Sequence, residues 1–346
     1  MQSYKDVEVF TLIADILWLV MMNQIIYSRH LIENKQMKTF DIVTLTINPA
    51  LDKSVNFSGL VAEQKIRCEA PRYDAGGGGI NVSKAIHRLG GESLCIFTSG
   101  GPTGKMMEDC LVAEGIQTSV IPVHNWTREN FVAFDKYTKS QYRFGFPGSV
   151  LSVNEQNLIL STIASMSPKF LVLSGSLNEG LQHDFYCQII QRINPRQTKV
   201  IVDTSGPALQ KALESGVYLA KPNVGELAKL VSAEKLELND VSDAAMSIIA
   251  QRNAEVIVVS LGPHGAILVT KEQSEFVPAP HVVKKSTVGA GDSMVGGMVW
   301  ALSQNKPLKE VVQWGVACGT AATMNEGTQL FKKTDAVGLF HWLQSK

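Results

Sequence analysis

From about residue 40 to the C-terminus, short apolar runs alternate with segments whose apolar residues recur every three to four positions. The runs predict buried strands and the periodic segments predict amphipathic helices. The predicted strands are 40–46, 94–98, 170–174, 199–203, 217–220 and 256–260. The predicted helices between them are 80–89, 104–114, 154–164, 183–193 and 241–252. This alternation predicts a mostly parallel α/β sheet with helices on both faces and ligands at the carboxyl ends of the strands.

Two regions, about 53–74 and 130–146, instead alternate polar and apolar residues as half-exposed strands do. Within the second region, 131–137 and 141–146 are joined by three polar residues, which predicts a hairpin. Both regions together predict a small antiparallel sheet outside the main one, a candidate lid over the site. An exposed apolar face on such a sheet would favour a partner subunit. Two surface loops with strand ends are the alternative.

Residues 1–36 differ from the rest of the chain. Segment 7–27 is apolar but is interrupted by Glu8, Asp15, Asn23 and Gln24, whereas a spanning helix needs about 20 apolar residues with few charges. No basic stretch precedes it and no small-residue cleavage site follows, which disfavours a signal peptide. We interpret 1–36 as an atypical leader, either non-native or a loosely packed helix, and 37–346 as the domain. A membrane anchor is the alternative.

Charge and cysteine content narrow the class of protein. Lys plus Arg and Asp plus Glu both total 32, so no overall basic field exists to hold nucleic acid or anionic lipid. An anionic ligand would have to be held by local cations and backbone N–H groups. The five cysteines are scattered without metal-ligand spacing, which predicts reduced thiols in a cytoplasmic protein.

The strongest chemical signal is the stretch Thr-Val-Gly-Ala-Gly-Asp-Ser, where a strand-like segment meets a glycine turn and a helix. Unpaired N–H groups at a helix start bind anions, and glycine lets an oxyanion approach them. Gly289, Ala290 and Gly291 would form this anion hole. Asp292 would then accept a proton from a substrate hydroxyl during phosphoryl transfer. A plain helix-capping Asp is the alternative.

A second signal follows the predicted strand 217–220. Asn223 and Glu226 lie three residues apart at the start of a helix and so share one face. Their oxygens would suit Mg²⁺, which retains several waters and binds through one or two side chains. The same spacing fits a capping box, in which the two residues satisfy each other's backbone N–H groups.

A third signal is the run of four glycines, 76–79, followed at once by a helical pattern. Glycines permit close approach of a ligand to the backbone or a hinge, and a flexible linker is the alternative. Asn81 in the first turn could bind sugar hydroxyls, as could Asp52 after the first strand. Lys65, Arg67 and Arg128 lie in or beside the candidate lid and could hold a substrate phosphate, although lone surface cations are commonly only solvated.

Taken together these motifs resemble the PfkB/ribokinase family of sugar kinases, and the resemblance covers the chain from Met37 to its end. The glycine segment AGGGGINVSKAIHRLGG, the NxxE motif and STVGAGDSMVGGM occur in that order. Within the family, NPALD, KIRCEAP, WTREN, YRFGFPG and VSLGPHGA resemble the branch that phosphorylates fructose 6-phosphate. Fructose-1-phosphate and tagatose-6-phosphate kinases usually carry Lys where this chain has Gly78.

The resemblance implies a ribokinase-like three-layer α/β/α sandwich with a small β-sheet lid, paired through the lid into a homodimer. It implies phosphorylation of fructose 6-phosphate by ATP with Mg²⁺, and a monovalent cation such as K⁺ near Ser286 and Val288. Gly77, Gly78 and Ser176 would join Asp52 and Asn81 around the sugar. The implied nucleotide contacts are Lys221, Asn223, Ser260, Gly262, Gly265 and Thr287, and Glu226 with Asn223 would serve Mg²⁺. Kinases of fructose 1-phosphate or tagatose 6-phosphate, and a non-catalytic sugar-phosphate sensor, are the alternatives.

Overall fold

The computed structural model describes residues 39–346, so our interpretation of residues 1–36 lies outside the described residues. The described chain is built on a nine-stranded sheet whose strand order is β13-β12-β11-β10-β9-β8-β1-β4-β5. Its strands are β1 (Ile42–Thr46), β4 (Leu94–Ser99), β5 (Thr118–Pro122), β8 (Phe170–Ser174), β9 (Lys199–Asp203), β10 (Val217–Ala220), β11 (Ala254–Ser260), β12 (Gly265–Thr270) and β13 (Ser274–Pro278). All six predicted strands are confirmed.

The sheet is parallel from β5 to β11, and only β12 and β13 run as an antiparallel extension at one edge. Its helices are α1 (Gly78–Arg88), α2 (Gly101–Ala113), α3 (Val153–Ala164), α4 (Phe185–Ile190), α5 (Gly206–Glu214), α6 (Val224–Leu230), α7 (Val241–Ala250), α8 (Ala290–Ser303), α9 (Leu308–Thr323) and α10 (Lys333–Gln344). The predicted 183–193 helix is shorter than expected, because α4 covers only its middle.

Two apolar cores lie on opposite faces of the sheet, which confirms the three-layer architecture. Neighbouring residues on a strand point to opposite faces. Leu171 and Leu173 therefore join the core under α3 to α7, while Val172 joins the core under α1 and α8 to α10. In the second core the Trp314 ring stacks on Phe340 with 4.0 Å between ring centroids, which fastens α10 to α9.

A separate four-stranded sheet, which we call the lid sheet, is formed by β2 (Ala50–Phe57), β3 (Arg72–Gly76), β6 (Arg128–Asp135) and β7 (Gln141–Gly145) in the order β3-β2-β6-β7. The predicted hairpin is confirmed as β6 and β7, whereas β2 and β6 pair in parallel. One face of the sheet carries a small apolar cluster around Val55, Phe57 and Ala133, which we call the outer face.

No helix within residues 39–346 combines the length and the apolar character that a membrane crossing requires.

Candidate active site

The glycine turn before α8 has the backbone geometry that the motif predicts. Gly289 adopts φ 71, a left-handed conformation that side chains disfavour. A Cβ at this residue would also come within 2.6 Å of Leu330. The turn delivers the chain into α8, whose first N–H groups have no carbonyl partner inside the helix. Gly289, Ala290 and Gly291 thus lie where an anion can be bound, and Gly291 is exposed to the site.

Asp292 lies in the first turn of α8 and is partly buried. Its Oδ2 accepts a hydrogen bond of 2.7 Å from Nδ2 of Asn81, so two residues far apart in sequence meet. Burial raises the pKa of Asp292 to about 6, and the charge of Asp203 adds to this, while Asn81 and Lys221 oppose it. A carboxylate with that pKa is ionised at neutral pH and still basic enough to accept a proton.

The contact between α1 and α8 brings Asn81 to Asp292. Gly296 of α8 lies directly against Ala85 of α1, and a Cβ on Gly296 would overlap that side chain. Small residues let two helices approach closely, so the glycine sets the distance between the two halves of the site.

A buried cation lies beside the glycine turn. Nζ of Lys221 pairs with Oδ1 of Asp203 at 3.1 Å, and both side chains are largely buried. Burial acts to lower the pKa of Lys221, but the charge of Asp203 outweighs it and the pKa is raised. The ammonium also lies 3.6 Å from the position of a Cβ on Gly291. It therefore stays charged next to the predicted anion hole. From the sequence, the position of Asp203 at a strand end suits the wall of a site, but a strand-terminal Asp is equally common in turns.

Asn223 and Glu226 form the capping box that spacing allowed as the alternative to a metal site. Oδ1 of Asn223 accepts from the Glu226 N–H, and Oε2 of Glu226 accepts from the Asn223 N–H, both at 2.9 Å. Within residues 39–346, Oε1 of Glu226 accepts no hydrogen bond and no cluster of three or more His, Cys, Asp or Glu could hold a metal by itself. The donors present suit an ion that also uses water and phosphate oxygens, as Mg²⁺ does.

The glycine run ends β3 and starts α1, so it is not a flexible linker. Gly77 has φ 128, and a Cβ on Gly79 would lie 2.7 Å from the Leu45 carbonyl oxygen. A Cβ on Gly78 would overlap Oγ of Ser174. The packing of the protein itself therefore requires glycine at residues 78 and 79.

On the same side, Oδ1 of Asp52 accepts from Nδ2 of Asn130 at 2.8 Å. Burial raises the pKa of Asp52, which the bond from Asn130 partly offsets. A Cβ on Gly76 would overlap this carboxylate. Asn130 belongs to the lid sheet and was missed from the sequence, because a lone Asn in a polar strand carries no motif.

Arg128 and Ser176 also lie at this edge of the lid sheet. Asn48 connects them, because its carbonyl oxygen accepts from Arg128 at 3.2 Å and its Nδ2 donates to Oγ of Ser176 at 3.2 Å. Arg128 also donates to the Phe146 carbonyl oxygen at 3.1 Å, and its buried Nε has no partner within the described chain.

Lys65 and Arg67 are not brought into these contacts. Both are exposed in the segment between β2 and β3, and neither makes a hydrogen bond or an ion pair within the described part of the chain. Their predicted role on a phosphate stays a prediction.

A mostly apolar cavity of about 350 Å³ opens on the other side of the glycine turn. Four predicted nucleotide contacts line it, namely Ser260, Gly262, Gly265 and Thr287. Lys221 and Asn223 are not in its lining; Asn223 reaches its edge through a backbone bridge to Ser260. Sequence inspection missed the opposite wall, formed by Val316, Gly319, Thr320 and Thr323 of α9.

Ser286 and Val288 are held together before α8. Buried Oγ of Ser286 donates to the Gly327 carbonyl oxygen at 2.9 Å and accepts from the Val288 N–H at 3.2 Å. The two residues at which a monovalent cation is predicted thus have a fixed local geometry, and the cation site itself stays a prediction.

A carboxylate with a raised pKa, a glycine turn at a helix start and a buried lysine lie between the polar region around Asp52 and Asn81 and the mostly apolar cavity. This fold and site define a kinase that transfers phosphate to a hydroxyl group. The chain belongs to the pfkB family of carbohydrate kinases, whose model matches residues 39–335.

Two relatives of this chain differ in the activity for which they are named. The ATP-dependent 6-phosphofructokinase isozyme 2 of Escherichia coli K12 is 40% identical over 304 residues, covering 87% of this chain and 98% of the relative. A 1-phosphofructokinase of Borreliella burgdorferi is 31% identical over 287 residues, covering 82% and 92%.

Solved structures of phosphofructokinase-2 from E. coli share the fold. Its complex with potassium has a TM-score of 0.84 at 40% identity, and its complex with fructose 6-phosphate has 0.83 at 38%. Its tetrameric inhibited form has 0.83 at 39%. Each covers 88% of this chain and 99% of the solved chain.

Proposed function

We propose that this chain is an ATP-dependent 6-phosphofructokinase, which converts fructose 6-phosphate and ATP to fructose 1,6-bisphosphate and ADP. The observation that carries the proposal is the meeting of Asp292, Asn81 and the Lys221–Asp203 pair at one glycine turn. The likeness to the E. coli isozyme 2 over 98% of that enzyme supports the choice of sugar. Gly78 supports it too, since kinases of fructose 1-phosphate and tagatose 6-phosphate usually have Lys in this run.

In the proposed reaction, Asp292 takes the proton from the C1 hydroxyl of the sugar. The freed oxygen attacks the γ-phosphorus of ATP, the bond to the β–γ bridging oxygen breaks, and ADP leaves. Gly289, Ala290 and Gly291 stabilise the negative charge on the transferring group through their N–H groups, and Lys221 adds a fixed positive charge. The carboxylate then returns its proton to solvent.

The sugar side would hold the substrate through Asp52, Gly77, Gly78, Asn81 and Ser176. Arg128, Lys65 and Arg67 would bind its phosphate. Because the two exposed cations of this set face solvent in one subunit, closure of the lid or a second subunit would have to bring them to the substrate.

ATP would occupy the apolar cavity, with Ser260, Gly262, Gly265 and Thr287 at its walls and Lys221 and Asn223 toward the phosphates. Glu226 and Asn223 would hold Mg²⁺ partly through water, and this ion would neutralise phosphate charge. The fixed pair Ser286 and Val288 supports a K⁺ site, as does the potassium complex of the E. coli enzyme.

We further propose a cytoplasmic homodimer. The outer face of the lid sheet leaves Phe144 half exposed beside Phe131, and an apolar sheet face of this kind favours a partner. The five cysteines, all free thiols, and the glycolytic type of substrate support the cytoplasm.

The test is release of ADP from ATP with a panel of sugars and sugar phosphates. Fructose 6-phosphate should give the highest kcat/KM. A preference for fructose 1-phosphate, the activity named for the B. burgdorferi relative, or for tagatose 6-phosphate would replace the proposal by that kinase. Silence with every sugar, together with measurable sugar-phosphate binding, would favour the sensor instead.

A further inference from the structure

A lysine lies buried beneath the sugar side of the site, outside the machinery described above. Lys84 is on α1, and only 6% of its side chain is exposed. Its Nζ donates to the Ala75 carbonyl oxygen at 2.9 Å and pairs with Oε1 of Glu114 at 2.6 Å. Glu114 forms the C-terminal cap of α2, so one ammonium connects β3, α1 and α2.

The bonded carbonyl belongs to the residue before the glycine run. Because a peptide unit is planar, holding the Ala75 oxygen also fixes the direction in which the chain enters Gly76. Gly76 pairs with Ala50 in the lid sheet and lies in direct contact with the carboxylate of Asp52. A change at the Ala75 carbonyl therefore moves the wall against which Asp52 is held.

The energetics also indicate that Lys84 contributes to the geometry of the glycine segment more than to stability. Taking an ammonium out of water is costly, and a buried ion pair often contributes little net stability. Apolar side chains fill the neighbouring space between α1, α2 and β3, among them Ala75, Ile80 and Met107. A Met in place of Lys84 would suit that surrounding, whereas it could not hold a carbonyl in a fixed direction. Glu114 is one-third exposed and would remain hydrated without its partner.

Helix α1 carries both the residue that binds Asp292 and the lysine that holds β3. Asn81, one turn before Lys84, binds Asp292, while Lys84 holds the strand that flanks Asp52. We propose that Lys84 is a positioning residue, which fixes the glycine segment relative to α1 so that the sugar phosphate is bound in line with Asp292. This inference rests on the proposed function and deepens it.

The experiment compares Lys84→Met with Lys84→Arg. Lys84→Met removes the charge and the donor at similar length, and KM for fructose 6-phosphate should rise about tenfold or more, since small misplacements in a site are costly. KM for ATP should stay within about twofold, because other elements form the nucleotide cavity. Lys84→Arg retains the charge and the donors, so its KM for fructose 6-phosphate should lie close to that of the unmodified enzyme.

Lys105→Met is the matched control. Lys105 on α2 also pairs with a carboxylate, Asp109 at 2.8 Å, but it is exposed and does not contact the glycine run. Its two KM values should equal those of the unmodified enzyme. A rise of both KM values together in Lys84→Met, or no rise in either, would overturn the positioning role.

A second variant covers the case in which Lys84→Met does not fold. Glu114→Ala leaves Lys84 with only its backbone acceptor and should raise the sugar KM several-fold without changing KM for ATP; an unchanged sugar KM would count against the proposal. Turnover of fructose 6-phosphate by the unmodified enzyme tests the proposed function separately. Calorimetric binding of fructose 6-phosphate measures the effect of Lys84 without any turnover.

Discussion

At the scale of single residues, Asp292 is the proposed catalytic base, and its replacement is the most direct probe of that role. Asp292→Asn keeps the shape and the contact with Asn81 but removes the basic oxygen. We expect kcat to fall about a hundredfold to ten-thousandfold, the range that a positioned base contributes. Nucleotide binding, measured by calorimetry with ADP, should change little.

Asp335→Asn provides the control for that substitution, because Asp335 is likewise an Asp in the first turn of a helix, α10, and is also partly buried. Its kcat should be unchanged. Equal turnover in Asp292→Asn and the control would show that Asp292 is only a helix-capping residue.

The raised pKa of Asp292 predicts a pH dependence. The base works only when ionised, so kcat should fall as the pH drops through about 6. Substrate phosphates also titrate near pH 6. A variant with a shifted pKa of Asp292 distinguishes titration of the base from titration of the substrate. Asn81→Ala removes a hydrogen bond that favours the ionised carboxylate, so the acid limb should move to higher pH. The substrate titrates equally in both enzymes; identical limbs would therefore assign the pH effect to the substrate.

The residues of the candidate site were predictable from the sequence where a motif surrounded them. Asp292 and its glycines stand in a recognisable turn, so their place at the start of a helix could be predicted without coordinates, while their catalytic role stays a prediction. The bond from Asn81 to Asp292 could not be inferred, because 211 residues separate the partners and only the packing of α1 on α8 joins them. For Asn223 and Glu226 the sequence was ambiguous, because the same spacing fits both a helix cap and a metal site.

At the scale of helices and strands, the contact between α1 and α8 determines whether the two sides of the site meet. Gly296→Ala would force Ala85 away and should cost about 1–3 kcal/mol of unfolding free energy, as overpacking does. It should also lower kcat, because Asn81 moves from Asp292. Urea unfolding and steady-state kinetics measure the two effects.

Gly338→Ala is the matched control, since Gly338 also lies inside a helix but a Cβ there meets nothing within 4 Å. It should stabilise the protein by about 0.5–1 kcal/mol through helix propensity and leave kcat alone. If Gly296→Ala stabilised the protein to the same extent, the close contact of the two helices would not be required.

Buried parallel strands were the elements most open to prediction, because each is a short apolar run followed by a helical period. Strands β12 and β13 were not predicted. An apolar run such as Gly265–Thr270 carries no signal that it pairs antiparallel with the preceding strand. Helix α10 was missed as well. Its place depends on the stacking of Phe340 on Trp314, a contact between distant segments.

At the scale of the whole molecule, the lid sheet should mediate pairing of two chains. Phe144 on its outer face is 51% exposed, and Phe144→Glu should shift the protein toward monomers, because a charge on an apolar interface is costly to bury. Sedimentation equilibrium measures the shift. Phe276→Glu is the control, since Phe276 is also on a strand and 54% exposed but lies on β13 of the other sheet. Equal behaviour of the two variants would place the dimer contact elsewhere.

The strand order has a consequence for folding during synthesis on the ribosome. Strand β1 leaves the exit tunnel first among the nine, yet its place is between β4 and β8. Its β8-facing edge must wait until more than half of the chain has been synthesised, and unpaired strand edges of this kind are prone to aggregate. A nascent chain stalled before Phe170 should therefore depend on chaperones far more than the full-length chain.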